Sequence, residues 1–356
     1  MKKVGILGFA HGHVFSFAGE WMRDPALYNV TVTGAWDHDK ERLSASLEKL
    51  PSGIKAFDSA KALLESDIDA VVVSSETAYH AELVEMAAQA KKDIILYKPI
   101  SLTMKEADRI VCAVNENGVR LTMGWQMRTD PQNARMREIV QSGELGKACL
   151  FRRRHGLATH TWAGFENTWH VNPQMNRDIF ADDSAHPINL MLWMFGMPES
   201  VMCEMSTMLN PKIPNDNAVC IFKYANGLIA EISLSFTTNA AEITTEIYLE
   251  KGSVQQYFGD APATRIPRNE KNSRACLVQG RRFLLDGIRH SFARAARRTL
   301  KGSGRPDGRV LKRRIAHLHS GRGKRHASSR SFLLSFRKRR KTHRCKRQQG
   351  IRFIII

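Results

Sequence analysis

Several features of common protein classes are missing from this sequence. It contains no apolar run of about 18 or more residues, the length that a membrane-spanning helix needs. Its six cysteines include no C-x-x-C pair, which argues against a zinc site and a disulfide scaffold. The N-terminal apolar stretch turns polar at His11, too early for the core of a signal peptide. We therefore expect a cytoplasmic protein with reduced thiols, no metal and no membrane partner.

Acidic residues are nearly absent from the last part of the chain. The formal net charge is +19 over 356 residues, but its distribution is uneven. Residues 1–270 contain 27 Lys and Arg against 33 Asp and Glu, whereas residues 271–356 contain 27 against 2. The two parts need separate interpretations, because a high overall charge predicts nucleic-acid binding only for the part that carries it.

Residues 1–124 alternate short β-branched apolar runs with amphipathic helical windows. Such alternation is typical of a parallel sheet covered by helices. The five predicted strands are VGILG, VTVTGAW, DAVVVSS, DIILY and VRLTMGW. This pattern predicts an α/β fold with a Rossmann-type doubly wound parallel sheet, which is a dinucleotide-binding domain.

Residues 125–270 follow a different pattern. It predicts a helix at 130–142, a strand at 147–154 and a helix from about 182 to 195. VCIFKY and LIAEISLSF flank one tight-turn signal, and TTEIYLE and SVQQYF flank another, so two hairpins in series are expected. We predict a second, α+β domain with an open antiparallel sheet, followed by a basic tail at 271–356.

The first strand leads into a degraded dinucleotide-binding fingerprint. Gly8 keeps the tight turn of G-x-G-x-x-G, but Ala10 and His13 replace the other two glycines. Asp37 ends the second strand, where it can accept a hydrogen bond from an adenosine ribose hydroxyl. Because aspartate repels a 2′-phosphate and no arginine occurs at 38–40, NAD is favoured over NADP. The alternative is an ordinary strand-to-helix turn with a capping aspartate.

Two further segments carry residue types suited to proton transfer. Lys98 follows the strand DIILY, at the sheet edge where ligands bind in doubly wound folds. Asp182 and His186 are spaced i, i+4, so a helix would place carboxylate and imidazole on one face, with the carboxylate orienting the imidazole. The alternatives are a solvated turn at Lys98 and a helix N-cap with a surface ion pair.

Together these motifs resemble the Gfo/Idh/MocA oxidoreductases over roughly residues 2–260. The resemblance is carried by the Rossmann-type start, Thr77-x-x-His80, Lys98-Pro99, the run SGELGKA and Asp182-x-x-x-His186. It implies that Lys98, Asp182 and His186 are catalytic. It also implies a set of cofactor-binding residues: Gly8, Ala10, His13, Asp37, Ser75, Thr77, His80, Tyr97 and Lys98.

The sequence departs from the family pattern near the expected cofactor and substrate. Tyr97 replaces the glutamate of the family's E-K-P motif, and Thr77 replaces its usual asparagine. We call the stretch between the predicted strand at 147–154 and the predicted helix from about 182 the substrate segment, because it is expected to approach the substrate. Its histidines have no metal-ligand spacing and are expected to pack or to form hydrogen bonds: His155, His160 and His170. Trp162 and Trp169 either shape a sugar-sized pocket or belong to the core.

The resemblance implies an NAD-dependent oxidoreductase that interconverts a secondary alcohol and a ketone on a sugar, polyol or related substrate. It also leads us to expect a homo-oligomer formed through the antiparallel sheet. Two alternatives are an NAD-dependent glycosidase and a non-catalytic NAD-binding scaffold. In the latter, the basic tail would bind nucleic acid, since many cations release counterions from phosphates.

We predict that the segment after about Lys271 arises from a shifted reading frame near 270–280. Glutamate disappears where the resemblance stops, while Arg, Lys, His and Ser become abundant. Translation of the encoding DNA in the other two frames tests this prediction, which requires one of them to give an amphipathic, glutamate-containing helical ending. If neither does, the basic tail is a selected feature.

Overall fold

The first of two sheets is parallel and lies in the N-terminal part of the chain. The computed structural model describes residues 1–238, 243–257, 275–279, 282–284 and 332–335. The strands are β1 (Lys2–Leu7), β2 (Val30–Trp36), β3 (Lys55–Ala56), β4 (Ala70–Val73), β5 (Asp93–Leu96) and β6 (Leu121–Met123). Their order, β3-β2-β1-β4-β5-β6, reverses direction between β1 and β4. The predicted doubly wound α/β sheet is confirmed, with the two-residue β3 as an unpredicted addition.

Six helices accompany this sheet. They are α1 (Val14–Arg23), α2 (Pro25–Tyr28), α3 (Lys40–Leu47), α4 (Ala60–Leu64), α5 (His80–Gln89) and α6 (Met104–Asn117). Reciprocal hydrogen bonds between Thr103 and Glu106 cap the start of α6, and Gly118 ends it in the left-handed region with φ 67°. The dipeptide Asn117-Gly118 thus marks the end of this helix.

The second sheet contains strands from the rest of the described chain. These are β7 (Ala148–Gly156), β8 (Ser200–Ser206), β9 (Asn217–Lys223), β10 (Ile229–Ser235), β11 (Thr244–Leu249) and β12 (Gly252–Tyr257), with the short strands β13 (Ala275–Gln279), β14 (Arg282–Leu284) and β15 (Phe332–Ser335). The order is β14-β13-β12-β11-β7-β10-β9-β8-β15. Both predicted hairpins, β9 with β10 and β11 with β12, are present.

One pair of strands in this sheet differs from the prediction. β7 and β10 run parallel, so the sheet is mixed rather than wholly antiparallel. The reason is that β7 lies between β10 and β11 and reaches β10 through a crossover that includes helices and two strands. A parallel pair needs such a crossover, whereas a hairpin joins only antiparallel strands.

The helices of the second domain are α7 (Pro131–Ser142), α8 (Ile179–Asp183) and α9 (Ala185–Phe195). A single helix was expected from about 182 to 195, but it is divided at Ser184. Pro187 explains the division, because it has no N–H to donate to the carbonyl of Asp183. α7 and α9 contribute to a buried core together with the inner face of the sheet.

The basic tail is described only where it forms strands. The backbone of β13 and β14 continues the sheet beyond β12, and β15 pairs with β8 at the opposite edge. The remainder of 271–356 lies outside the described residues, so the domain bounds and the frame shift stay predictions. Among the described helices, none combines the length and apolar character needed to cross a bilayer.

Candidate active site

A cavity of about 290 Å³ lies where the first sheet meets the second domain. Residues after β1 and β5 form one wall, and residues from β7 and from α8 and α9 form the other. The titratable side chains on its lining are His11, His13, Lys98, His155, His170, Asp182, Asp183 and His186. The structure therefore brings all three predicted catalytic residues to one cavity, at the sheet edge where the fold binds ligands.

Lys98 and Asp182 form a buried ion pair across this cavity. Lys98 Nζ lies 2.5 Å from Asp182 Oδ1 and 3.1 Å from the Asp182 carbonyl oxygen. His170 Nδ1 lies 2.9 Å from the other carboxylate oxygen, Asp182 Oδ2. Burial alone would raise the pKa of Asp182, but Lys98 and His170 together hold it far below its usual range. Asp182 is thus a fixed anion that orients two side chains.

His186 does not have the partner that its spacing predicted. Asp182 was expected to orient His186, yet both carboxylate oxygens of Asp182 are bonded to Lys98 and His170. Ser184, where the helix is divided, keeps helical backbone angles of φ −62° and ψ −21°, so the expected pairing fails because of these competing bonds rather than because of the break. Burial, and then Lys98, lowers the pKa of His186 to about 3. The imidazole is therefore neutral at pH 7.

A second histidine and carboxylate pair lines the same cavity. His155, in β7, lies with Nε2 2.7 Å from Asp183 Oδ2. Burial raises the pKa of Asp183, but His155 outweighs it and the result is a pKa of about 2. His155 and His170 are thus hydrogen-bonding residues, and among the described residues no group of side chains could hold a metal ion.

The loop after β1 has the form of a phosphate cradle. Gly8 has φ +90°, and a Cβ there would lie 2.7 Å from the Cα of Ser75. A Cβ on Gly12, by contrast, would meet no atom within 4 Å. In the described part of the chain the N–H groups of Gly12 and His13 have no acceptor, and they precede α1. These features fit a dinucleotide pyrophosphate at a helix N-terminus.

The ribose end of the expected cofactor site differs from the prediction. Asp37 is fully buried, and its carboxylate accepts from Phe9 N at 2.7 Å and from Asp39 N at 2.9 Å. Arg42 donates Nε and an Nη to the same carboxylate, at 2.8 and 2.7 Å, and also binds Glu76 at 2.7 Å. Asp37 is therefore not free for a ribose hydroxyl until Arg42 moves, because the arginine one turn into α3 reaches back to it.

The remaining predicted cofactor residues surround the ends of β4 and β5. Thr77 Oγ1 donates to Asn176 Oδ1 at 2.5 Å, which connects the first domain to the substrate segment. His80 is buried between the Pro99 and Ser75 carbonyls, at 2.9 and 3.3 Å, and burial lowers its pKa to about 4. Tyr97 is buried, with its ring 5.5 Å from that of Phe17. Ser75 lies directly against Gly8.

Trp169 joins the substrate segment to the glycine-containing loop. Its Nε1 donates to the Ala10 carbonyl at 3.1 Å, and its ring stacks on His170 at 4.0 Å. Trp162 is 38% exposed and lines the cavity. Of the two tryptophans, Trp162 therefore shapes the pocket, and Trp169 closes the loop against the second domain.

Four features of the site were missed from the sequence. They are Arg42 on Asp37, the pairing of His155 with Asp183, the bond between Asp182 and His170, and the buried His11. Arg42 offered a weak signal, since it lies one helical turn after the Asp39 N-cap. The two histidine pairs had none, because their members come from segments that only the tertiary fold brings together.

Comparison with known proteins identifies both halves of the described chain. Residues 2–125 match the model for the oxidoreductase family with an NAD-binding Rossmann fold. Residues 133–255 match the model for the GFO/IDH/MocA C-terminal domain. The two matches together cover most of the described residues, and they meet near the boundary between the two sheets.

Individual relatives are more distant. The uncharacterized oxidoreductase YrbE of Bacillus subtilis is 30% identical over 178 residues, which are 49% of this chain and 50% of that protein. The chain thus spans about half the length of that relative. The myo-inositol 2-dehydrogenase of Thermotoga maritima is 26% identical over 241 residues, 65% of this chain and 68% of that protein.

A solved structure of levoglucosan dehydrogenase, in complex with NADH and levoglucosan, superposes with a TM-score of 0.69. It is 16% identical in sequence, and the match covers 79% of this chain and 77% of that one. At this identity the similarity establishes the fold alone.

Proposed function

The chain belongs to the Gfo/Idh/MocA oxidoreductase family, and we propose that it is an NAD-dependent dehydrogenase of a sugar, a polyol or a related substrate. It would interconvert a secondary alcohol and a ketone. One observation carries this proposal: a buried lysine paired with a carboxylate and a neutral histidine line one cavity beside the cofactor loop. No observation favours the glycosidase or the non-catalytic scaffold.

The charges of the cavity suit the removal of a hydroxyl proton. His186 is neutral, so a ring nitrogen can accept a hydrogen bond from the substrate hydroxyl; because its pKa is about 3, it takes the proton only as the hydride leaves. The Lys98 ammonium, held by Asp182, stabilises the negative charge that develops on the substrate oxygen. NAD, when bound, supplies the acceptor for the hydride that leaves the same carbon. The alcohol thereby loses a proton and a hydride and becomes a ketone.

The named relatives support the substrate class. The Thermotoga maritima protein is a myo-inositol 2-dehydrogenase, and the solved structure is a levoglucosan dehydrogenase with its sugar. Trp162 and the histidines of the cavity provide an aromatic surface and polar groups, which suit a polyhydroxylated ring. The cradle at Gly8, Gly12 and His13 would hold the pyrophosphate of the cofactor.

Replacing Lys98 or His186 tests the proposed chemistry. We expect Lys98→Ala and His186→Asn to lower turnover of myo-inositol or a related polyol by about 10²- to 10⁴-fold, the usual effect of losing a general acid or base. The dissociation constant of NADH, measured by fluorescence, should change much less. Lys105→Ala, at an exposed position on α6, is the matched control. Turnover within threefold of the parent in either variant would exclude that residue from catalysis.

We also predict that NADH binds more tightly than NADPH. Arg42 is already shared between Asp37 and Glu76, so it offers no uncompensated charge to a 2′-phosphate. Asp37→Asn should narrow the difference between the two dissociation constants, because it frees part of the guanidinium. Arg42→Gln is the comparison variant. It should widen the difference between the two dissociation constants, because Asp37 and Glu76 then keep their negative charge without the arginine. If the parent binds NADPH as tightly as NADH or more tightly, the predicted preference for NAD is wrong.

We further propose that the chain forms a homo-oligomer through the outer face of the second sheet. Exposed apolar side chains lie on this face, and Met202 and Ile221 are directly paired there across β8 and β9. The others are Val219, Ile229 and Tyr248. Sedimentation should give a mass above 40.2 kDa for the parent and a lower mass for Ile221→Glu. Met104→Glu, at an exposed site on α6, should leave the mass unchanged, and a monomeric parent would contradict the proposal.

A further inference from the structure

His11 is a buried polar side chain that the proposed chemistry leaves unexplained. It lies in the loop between β1 and α1 and is 3% exposed. Neither ring nitrogen has a hydrogen-bond partner among the described residues. An unpaired buried polar atom is costly, and this ring has two of them. The observation points to a partner that the protein itself does not provide.

The backbone holds His11 in place without involving its side chain. Its N–H donates to the Ser74 carbonyl at 3.0 Å, and the Ser74 hydroxyl donates to the His11 carbonyl at 3.1 Å. The rings of His13 and Tyr97 lie with their centroids 4.7 and 4.8 Å from that of His11. The imidazole is therefore positioned by the end of β4 and by two neighbouring rings, while both of its nitrogens are buried without a partner among the described residues.

His11 lines the same cavity as Lys98 and His186. Burial, then Lys98 and His13, holds the pKa of His11 well below its usual range. A neutral imidazole has one N–H donor and one acceptor nitrogen. A hydroxyl group can either accept a hydrogen bond from the ring N–H or donate one to the other nitrogen, whereas an anion can only accept from the N–H. The side chain is thus suited to an uncharged hydroxyl rather than to a phosphate or a carboxylate.

We propose that His11 binds substrate, with its neutral imidazole forming a hydrogen bond to a hydroxyl group of the polyol held at Lys98 and His186. This proposal rests on the proposed function. The charged and titratable groups that act on His11 are Lys98, His13, Asp182 and His170, and all four line the same cavity. The cofactor loop instead offers backbone N–H groups, which leaves the side chain of His11 for the second ligand.

Two variants of His11 and one control separate hydrogen bonding from packing. His11→Phe keeps an aromatic ring between His13 and Tyr97 but removes both nitrogens. His11→Asn restores one donor and one acceptor in a smaller side chain. Lys105→Ala, at an exposed position on α6, is again the control.

We expect His11→Phe to raise KM about tenfold or more for the best substrate among myo-inositol, L-sorbose and levoglucosan, the effect of one lost buried hydrogen bond. The change in kcat should be smaller, His11→Asn should recover part of the loss, and the NADH dissociation constant should stay within twofold of the parent. An unchanged KM in His11→Phe would mean that the His11 ring only packs against its neighbours and does not bind substrate. An equal loss of NADH and polyol affinity would assign it to the cofactor. Either result overturns the proposal.

Binding measurements distinguish this proposal from the proposed function. Calorimetric titration of the same three compounds into the NADH-loaded protein needs no turnover. If the parent binds one of them and His11→Phe binds it equally well, the assignment of His11 fails while the dehydrogenase proposal stands. If the parent neither binds nor oxidises any polyol, the proposed function fails and the role of His11 fails with it.

Discussion

The ion pair between Lys98 and Asp182 is the interaction on which the arrangement of the site depends. Both side chains are about 95% buried, and they come from different parts of the fold: Lys98 follows β5 of the first sheet, and Asp182 lies in α8 of the second domain. Removing one member of a buried pair commonly costs about 3–5 kcal/mol, because the other charge remains without compensation. The pair therefore fixes the two walls of the cavity relative to each other. It also sets the charge state nearby, since Lys98 contributes to the low pKa of His186.

The sequence was sufficient for the first domain and for the position of Lys98. Strand periodicity located β1, β2, β4, β5 and β6, and the end of β5 placed Lys98 at the ligand edge. Spacing alone was insufficient for Asp182. Its distance from His186 suggested a pairing on one helical face, but both carboxylate oxygens bind other residues, Lys98 and His170. Local periodicity contains no information about a partner from a distant segment. Here the distant partner, Lys98, determines the role of Asp182.

The loop after β1 shows a similar limit of sequence-based prediction. Gly8 and Asp37 were predicted from a known fingerprint, and the structure gives both an explanation in terms of packing. Asp37 accepts from Phe9 N, so this carboxylate fastens the loop after β1 to the end of β2 before any ligand is considered. Arg42 and Glu76 then complete a partly buried cluster of charges. His11 could not be recognised from the sequence, because only burial without a partner distinguishes it from its neighbours.

The strand order of the second sheet has a consequence for how the chain folds during synthesis. β7 is the first of its strands to be made, yet it lies between β10 and β11, which follow more than 70 residues later. Until Leu249 has left the ribosome, β7 therefore lacks a neighbour on at least one side, and such an edge is open to incorrect pairing. The first sheet is complete at Met123, so it can form while the second is still being translated. Any delay in translation between 156 and 244 prolongs the exposure of β7 but leaves the first sheet unaffected.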